Sequence, residues 1–333
     1  MPDLSTEFVG LKLRNPLIAA SSGLTNTLED IIEFEKAGVG AIILKSLFEE
    51  EIRIELEKDL AMMNKDSFLY PETMGFYDSF HEVDDMMTKY LGLIRESKKA
   101  VSVPIIASIN CVTAEKWPYY ATTLQDAGAD ALELNVFSLP SDLSHSPEKD
   151  EKLFFDIVDA IKNKVNIPVI LKISYYSSSL ASLIYKLSKT ELSAITLFNR
   201  FYSPDIDIDT LKVSASNVYS TPGELTLSLR WIALMADKVE CQLAASTGVH
   251  DSSALIKQLL AGADVVQVAS IFYKNGKSYA GQMLTELEEW MVKHGFNSIS
   301  DFNGKLSYAN VENPAAYERT QFMKHFAGKE MKS

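Results

Sequence analysis

Eight short apolar runs punctuate this chain, separated by stretches whose apolar residues recur at helical spacing. The runs are Pro16–Ser21, Gly40–Lys45, Val103–Ile109, Ala131–Val136, Pro168–Ile173, Ala194–Phe198, Gln242–Ser246 and Asp264–Ala269. A continuous apolar run of this length reads as a strand buried on both faces, the mark of a parallel sheet. Strict alternation of strands and helices requires the same sheet. Eight such units predict a closed (β/α)8 TIM barrel. One domain over 1–333 is expected, with 307–333 as a C-terminal extension.

The helical stretches agree with this plan. In Leu28–Ala37 the stripe is Ile31, Ile32, Phe34 and Ala37, with a capping-box-like Thr27 and Asp30 before it and Gly38 after it. Ser252–Ala261 repeats the pattern with Leu255, Ile256, Leu259 and Leu260 ahead of Gly262, and Ser278–His294 carries Met283, Leu284, Leu287 and Met291. Two insertions break the rhythm, Ser46–Ala100 after the second strand and Asn199–Leu229 after the sixth. Each lies on the face where barrels build their sites, so each is expected to wall a ligand. Within the second, Ile206-Asp207-Ile208-Asp209 alternates like an exposed hairpin strand. Trp117, Tyr119 and Tyr120 stand as interface or helix-packing aromatics.

Composition narrows the partners. A net charge of −13 and a pI near 4.9 provide no basic field for nucleic acid or an anionic membrane. A small anion is still compatible, because local lysines and helix N-termini outweigh the global sign. No apolar stretch is long enough to span a bilayer, and Met1–Ser5 lacks the regions of a secretory signal, so a cytoplasmic location is expected. Cys111 and Cys241 read as small buried thiols, and no metal-ligand spacing links them to the scattered histidines.

Chemistry starts at two strand ends. Gly40-Ala41-Ile42-Ile43-Leu44 closes on Lys45, and Ile167-Pro168-Val169-Ile170-Leu171 closes on Lys172. A charge at the carboxyl end of a barrel strand emerges where barrels place their ligands. Either lysine alone could mark a strand reaching solvent; two of them, with a phosphate-cradle pattern downstream, point to an anionic cofactor. That pattern is Ala244-Ala245-Ser246-Thr247-Gly248-Val249 after the seventh strand and Ala269-Ser270 after the eighth, a common phosphate position in this fold. A plain turn with a capping aspartate is the alternative.

Four segments resemble the FMN-dependent dihydroorotate dehydrogenases: Asn15–Ser22, Gly40–Ser46, Pro168–Lys172 and Ser298–Leu306. The last is especially similar to the tail of the soluble, fumarate-using class, and the resemblance runs collinearly from about Leu4 to Leu306. It implies that Ala20 and Ser21 line the flavin and that Lys45 lies between flavin and substrate. Lys172 would sit near the flavin N1/O2 edge, and Gly248, Ala269 and Ser270 would contact the FMN phosphate. Asn110 and Asn135 would hydrogen-bond the isoalloxazine or the substrate, with strand-end capping as the alternative. Met74, Gly75, Asn135 and Asn199 would bind substrate. A homodimer is implied, with a fumarate-like molecule as one candidate electron acceptor. Independently of the family, a fixed ammonium beside N1 stabilises the negative charge of reduced flavin.

The chain departs from the family where substrate is read. The family's active-site loop, Asn-x-Ser followed by Cys or another residue and then Pro-Asn, becomes Asn135-Val136-Phe137-Ser138-Leu139-Pro140-Ser141, which puts Ser138 in the place of the base. The family's Asn-Ser-Met-Gly becomes Glu72-Thr73-Met74-Gly75. The Asn-Ser pair after strand six becomes Thr196-Leu197, followed by Phe198-Asn199-Arg200. A flavin half is retained and a dihydroorotate half rebuilt. The expected function is a cytoplasmic FMN oxidoreductase acting on a CH–CH bond, with dihydroorotate as the named substrate and Ser138 and Lys45 as catalytic residues. Another dihydropyrimidine or an enoate is the close alternative. A Schiff-base aldolase built on Lys172 and a non-catalytic flavin-binding protein are alternatives of a different class.

Overall fold

Each apolar run contains a strand in the computed structural model, which describes residues 1–52, 86–111, 116–200, 204–215 and 218–318. The strands are β1 Leu17–Ala19, β2 Ala41–Ile43, β3 Ile105–Asn110, β4 Ala131–Asn135, β5 Val169–Ile173, β6 Ala194–Leu197, β7 Gln242–Ser246 and β8 Val265–Val268. Successive strands pair in parallel, and β8 returns to β1 with Val266 opposite Leu17 and Val268 opposite Ala19. The ring closes as the TIM barrel that the alternation predicts.

The surrounding helices are α1 Leu28–Ala37, α2 Met86–Ala100, α3 Trp117–Asp126, α4 Pro147–Ile161, α5 Leu180–Ser188, α6 Leu225–Met235, α7 Ser252–Ala261 and α8 Tyr279–His294. Local signals set their ends. The Thr27 side chain accepts from the Asp30 N–H and Gly38 closes α1 in the left-handed region; Asp251 and Gly262 do the same for α7. Both expected insertions are shorter than the sequence suggests, because α2 occupies the end of the first and α6 begins inside the second. The second also holds an antiparallel hairpin, Pro204–Asp207 with Lys212–Ala215, whose Ile206 and Val213 lie opposite one another and are exposed. Trp117 and Tyr120 are buried helix-packing residues, and Tyr119 is exposed. No helix among the described residues is long and apolar enough to cross a membrane.

The barrel interior is layered. Ile18, Ile43, Ile106, Ala131, Ile170, Ala194, Ala244 and Val265 belong to one buried apolar cluster that draws on every strand, with Ala41 as a second residue from β2. Phe8, Val9 and Leu13 join it from the hairpin Thr6–Phe8 with Leu11–Leu13, which plugs this end. Side chains along a strand alternate in direction, so inward positions recur every second residue. Two residues further along six of the strands, those positions hold buried Ser108, Glu133, Lys172, Thr196, Ser246 and Gln267. The interior therefore changes from apolar to polar towards the strand carboxyl ends.

Packing against the strand ends explains one glycine. A Cβ on Gly40 would stand 2.0 Å from the Asn15 carbonyl oxygen, whereas one on Gly92, within α2, would meet nothing within 4 Å. Gly40→Ala is expected to lower unfolding free energy by roughly 1–3 kcal/mol through overpacking. Gly92→Ala is expected to raise it by roughly 0.5–1 kcal/mol through lost unfolded-state entropy. Urea unfolding of the two variants checks both signs.

Candidate active site

At the polar level of the barrel four side chains from four strands satisfy one another. Lys172 Nζ lies 3.4 Å from Glu133 Oε1 and donates to Gln267 Oε1 at 3.0 Å. Gln267 Nε2 donates to Glu133 Oε2 at 2.6 Å, and the Thr196 hydroxyl donates to the same oxygen at 3.3 Å. Beside this network a hydroxyl chain crosses the barrel mouth. Ser21 Oγ is 3.1 Å from Ser46 Oγ, which is 2.7 Å from Ser108 Oγ, and Asn135 Nδ2 reaches Ser46 Oγ at 3.4 Å. Tyr90 clamps Ser108 from α2: it accepts from the Ser108 N–H and donates to its carbonyl. Burial raises the Tyr90 phenol well above its ordinary range and keeps it protonated for that task.

Two cavities meet above these groups. The first, about 200 Å3, is lined by residues that include Ala20, Ser21, Lys172, Gly248, Ala269 and Ser270, the whole set expected for the flavin and its phosphate apart from Lys45, Asn110 and Asn135. Lys172 and Arg200 line it, and no aspartate or glutamate is among its described lining residues. In a chain of net charge −13 that is a local cationic exception. Gly248 has φ +80, and a Cβ there would lie 2.1 Å from the Leu225 backbone nitrogen at the start of α6. Its close approach in the structure is thus to the chain itself, which presses the loop against α6. Ser220, also in the lining, meets His250 Nε2 at 3.0 Å. Burial and the nearby Lys274 push the His250 imidazole below its ordinary value, so it backs the cavity as a neutral hydrogen-bond partner.

The second cavity, about 580 Å3, shares Asn199 and Arg200 with the first and adds Phe48, Glu50, Asn110, Cys111, Asn135 and Phe137 among others. Asn199 Nδ2 donates to Asn135 Oδ1 at 2.7 Å, so the loop after β6 and the end of β4 are tied across the opening. Arg200 Nε donates to Glu224 Oε2 at 2.8 Å and its Nη1 to the Val218 carbonyl at 2.9 Å. Cys111 is partly buried, and burial with the Glu49 and Glu50 carboxylates raises its thiol far above the ordinary range. It remains a thiol and is no ready base.

Ser138 and Lys45 fall outside both linings. Ser138 borders a neighbouring cavity of about 220 Å3 with Asp142, His145, Asp150, Glu151 and Tyr176. Its carbonyl accepts from the Ser174 hydroxyl at 3.2 Å. Lys45 is partly exposed, its ammonium 3.7 Å from Glu51. Met74 and Gly75, with Glu72 and Thr73, lie outside the described residues.

The sequence has known relatives. A sequence model described as dihydroorotate dehydrogenase matches residues 3–291. The chain belongs to the dihydroorotate dehydrogenase family. It is 26% identical over 91% of its length to the protein from Thermoplasma volcanium named dihydroorotate dehydrogenase B (NAD(+)), catalytic subunit, 98% of which is covered. Proteins of the same name from Pyrococcus furiosus, 25% identical over 90% of this chain and 98% of theirs, and from Caldicellulosiruptor saccharolyticus, 26% over 92% and 99%, are similar to it. Membership makes the protein a dihydroorotate dehydrogenase-like oxidoreductase, which overturns the aldolase alternative. The geometry agrees: a Schiff-base lysine needs a free amine, whereas Lys172 is engaged by Glu133 and Gln267.

Lys172 is legible in the sequence as a charge closing an apolar run, whereas its partners Glu133 and Gln267 are not among the expected site residues. Glu133 had a legible signal, a charge inside the apolar run Ala131–Val136, just as unusual as a lysine closing one. The Arg200–Glu224 pair joins the two ends of the insertion after β6, and no spacing rule announces it.

That pair has a measurable pH signature. Burial works against the Glu224 carboxylate, yet the Arg200 guanidinium and the Thr221 N–H outweigh it and hold the group below its ordinary value near 4.5. A carboxyl depressed in the fold contributes stability above its unfolded value, lost as pH falls through its folded value. The side chain is 34% exposed, so screening limits the contribution to about 1 kcal/mol or less. Glu224→Gln is expected to lose less stability than the parent on going from neutral pH to the acid side of 4.5, as urea titrations at the two pH values will show.

Proposed function

We propose that the protein is an FMN-dependent CH–CH oxidoreductase of the cytoplasm, with dihydroorotate as the named substrate and orotate, a step of pyrimidine biosynthesis, as product. The observation that supports the cofactor is the first cavity. It opens at the ends of β7 and β8, it is lined by Lys172, Arg200, serine hydroxyls and loop backbone, and its described lining holds no carboxylate. Such a donor set fits a phosphate and an electron-rich ring edge. Gly248, Ala269 and Ser270 would hold the phosphate, Ala20, Ser21, Asn110 and Asn135 the ring, and Lys172 its electron-rich side. Bound there, FMN supplies the acceptor for a hydride leaving the substrate.

The chain's own residues do the rest. Asn135 and Asn199, tied to one another, present the amide groups that orient a flat polar substrate in the second cavity. Lys45 adds positive charge from the end of β2. Ser138 takes the proton from the carbon next to the hydride donor. A serine hydroxyl is a poor base without an outlet, and the cavity it borders supplies Asp142 and His145 as onward acceptors. A homodimer and a fumarate-like electron acceptor complete the reading.

A carboxylate-free dihydropyrimidine is the second reading, and one observation favours it. The arginine that lines the substrate cavity is held by Glu224, while Glu50, also in the lining, has a buried Oε2 with no hydrogen-bond partner among the described residues. Anaerobic titration of the yellow protein with dihydroorotate, and in parallel with dihydrouracil, separates the two. Bleaching is expected with dihydroorotate, slowed about 100-fold or more in Ser138→Ala. Bleaching by dihydrouracil alone transfers the assignment to the second reading. A yellow protein bleached by neither overturns both named substrates and leaves the enoate alternative. Reoxidation by fumarate, by NAD+ or by quinone then identifies the acceptor.

A further inference from the structure

A carboxylate stands behind the cation that the cofactor reading relies on. Glu133 is fully buried, and in the β4–β5 ladder it lies opposite Ile170 while Lys172 lies opposite Asn135. The Lys172 backbone therefore stands two residues nearer the barrel mouth than that of Glu133. Both Glu133 oxygens are occupied, Oε1 by Lys172 and Oε2 by Gln267 and Thr196. The Gln267 amide is oriented by the pair, its oxygen towards Lys172 and its nitrogen towards Glu133. Lys172 and Gln267 also line the first cavity, so the network ends at the cavity wall.

We infer that Glu133 is a positioning counter-ion that sets how strongly Lys172 acts on the bound cofactor. It fixes the ammonium at the cavity wall and cancels part of its field there. In a buried site this cancellation is large, because little water screens either charge. The flavin is then harder to reduce than it would be beside a lone lysine, and the protein tunes that difficulty through a residue that does not line the cavity. The inference rests on the preceding reading, in which the flavin ring lies against Lys172.

Sulfite affinity of the FMN-loaded protein, read from loss of its yellow colour, and the flavin midpoint potential report the field without turnover. Glu133→Gln removes the negative charge and is expected to tighten sulfite binding about tenfold or more and to raise the potential. Lys172→Met is expected to shift both the opposite way. Glu133→Asp retains the charge and should stay within about threefold of the parent. The double variant E133Q/K172M carries no unpaired buried charge, so it serves where Glu133→Gln does not fold. It is expected to bind sulfite more tightly than Lys172→Met alone. Unchanged sulfite affinity in Glu133→Gln, or a shift in the same direction as Lys172→Met, overturns the inference, because a merely structural partner gives those results. Equal affinity of the double variant and Lys172→Met overturns it as well. A protein that takes up no FMN defeats the cofactor reading instead, so the two failures are distinguishable.

Discussion

A buried ion pair governs the working end of this barrel. Taking Lys172 and Glu133 out of water costs several kcal/mol per ion, and only full hydrogen bonding makes such a pair tolerable. Gln267 from β8 and Thr196 from β6 supply that bonding, so side chains from four strands must arrive together. They do so only if β8 closes on β1. The apolar layer beneath, with Phe8, Val9 and Leu13 plugging its end, has no polar group to satisfy and secures the closure. Stability is concentrated in the lower layer and chemistry in the upper one, which follows the usual division of labour between the two faces of this fold.

Local charge, not net charge, decides what the mouth can hold. Exposed charges are screened over about 8–10 Å at physiological salt. The protein's overall negative charge therefore says little about a recess with Lys172 and Arg200 in its wall. Carboxylates gather instead around the adjoining spaces: Glu50 in the larger cavity, and Asp142, Asp150 and Glu151 in the one that Ser138 borders. The adjoining spaces thus differ in charge even where the first two share Asn199 and Arg200.

How much of this was legible in the sequence depended on whether the cause was local. Strand runs and helix caps are local, and the eight strands, together with Thr27, Gly38, Asp251 and Gly262, stand where the pattern put them. Lys172 was legible because a charge ended an apolar run. Glu133 interrupts such a run in the same way, but a charge in mid-strand can be explained only by partners on other strands, and those depend on barrel closure. Counting two residues along from each apolar inward position brings out Ser108, Glu133, Thr196 and Gln267 together. That count requires knowing which face of each strand is inward. The Arg200–Glu224 pair and the Tyr90 clamp on Ser108 depend on how loops and α2 fold back, which no periodicity encodes.

The end of β6 links the two halves of the site. Thr196 and Leu197, expected just after the sixth strand, lie within β6, and Thr196 donates to Glu133 inside the barrel. A side chain committed to the ion pair cannot also face the substrate cavity. The amide appears three residues later, at Asn199, where it borders both cavities and donates to Asn135. Inward positions on a strand are few, and a residue that serves the buried charge network is lost to the recess above it. Placing the amide in the loop frees it to change without disturbing the ion pair. The strand thus keeps its inward side chain for the ion pair, and the loop carries the amide that reaches both cavities.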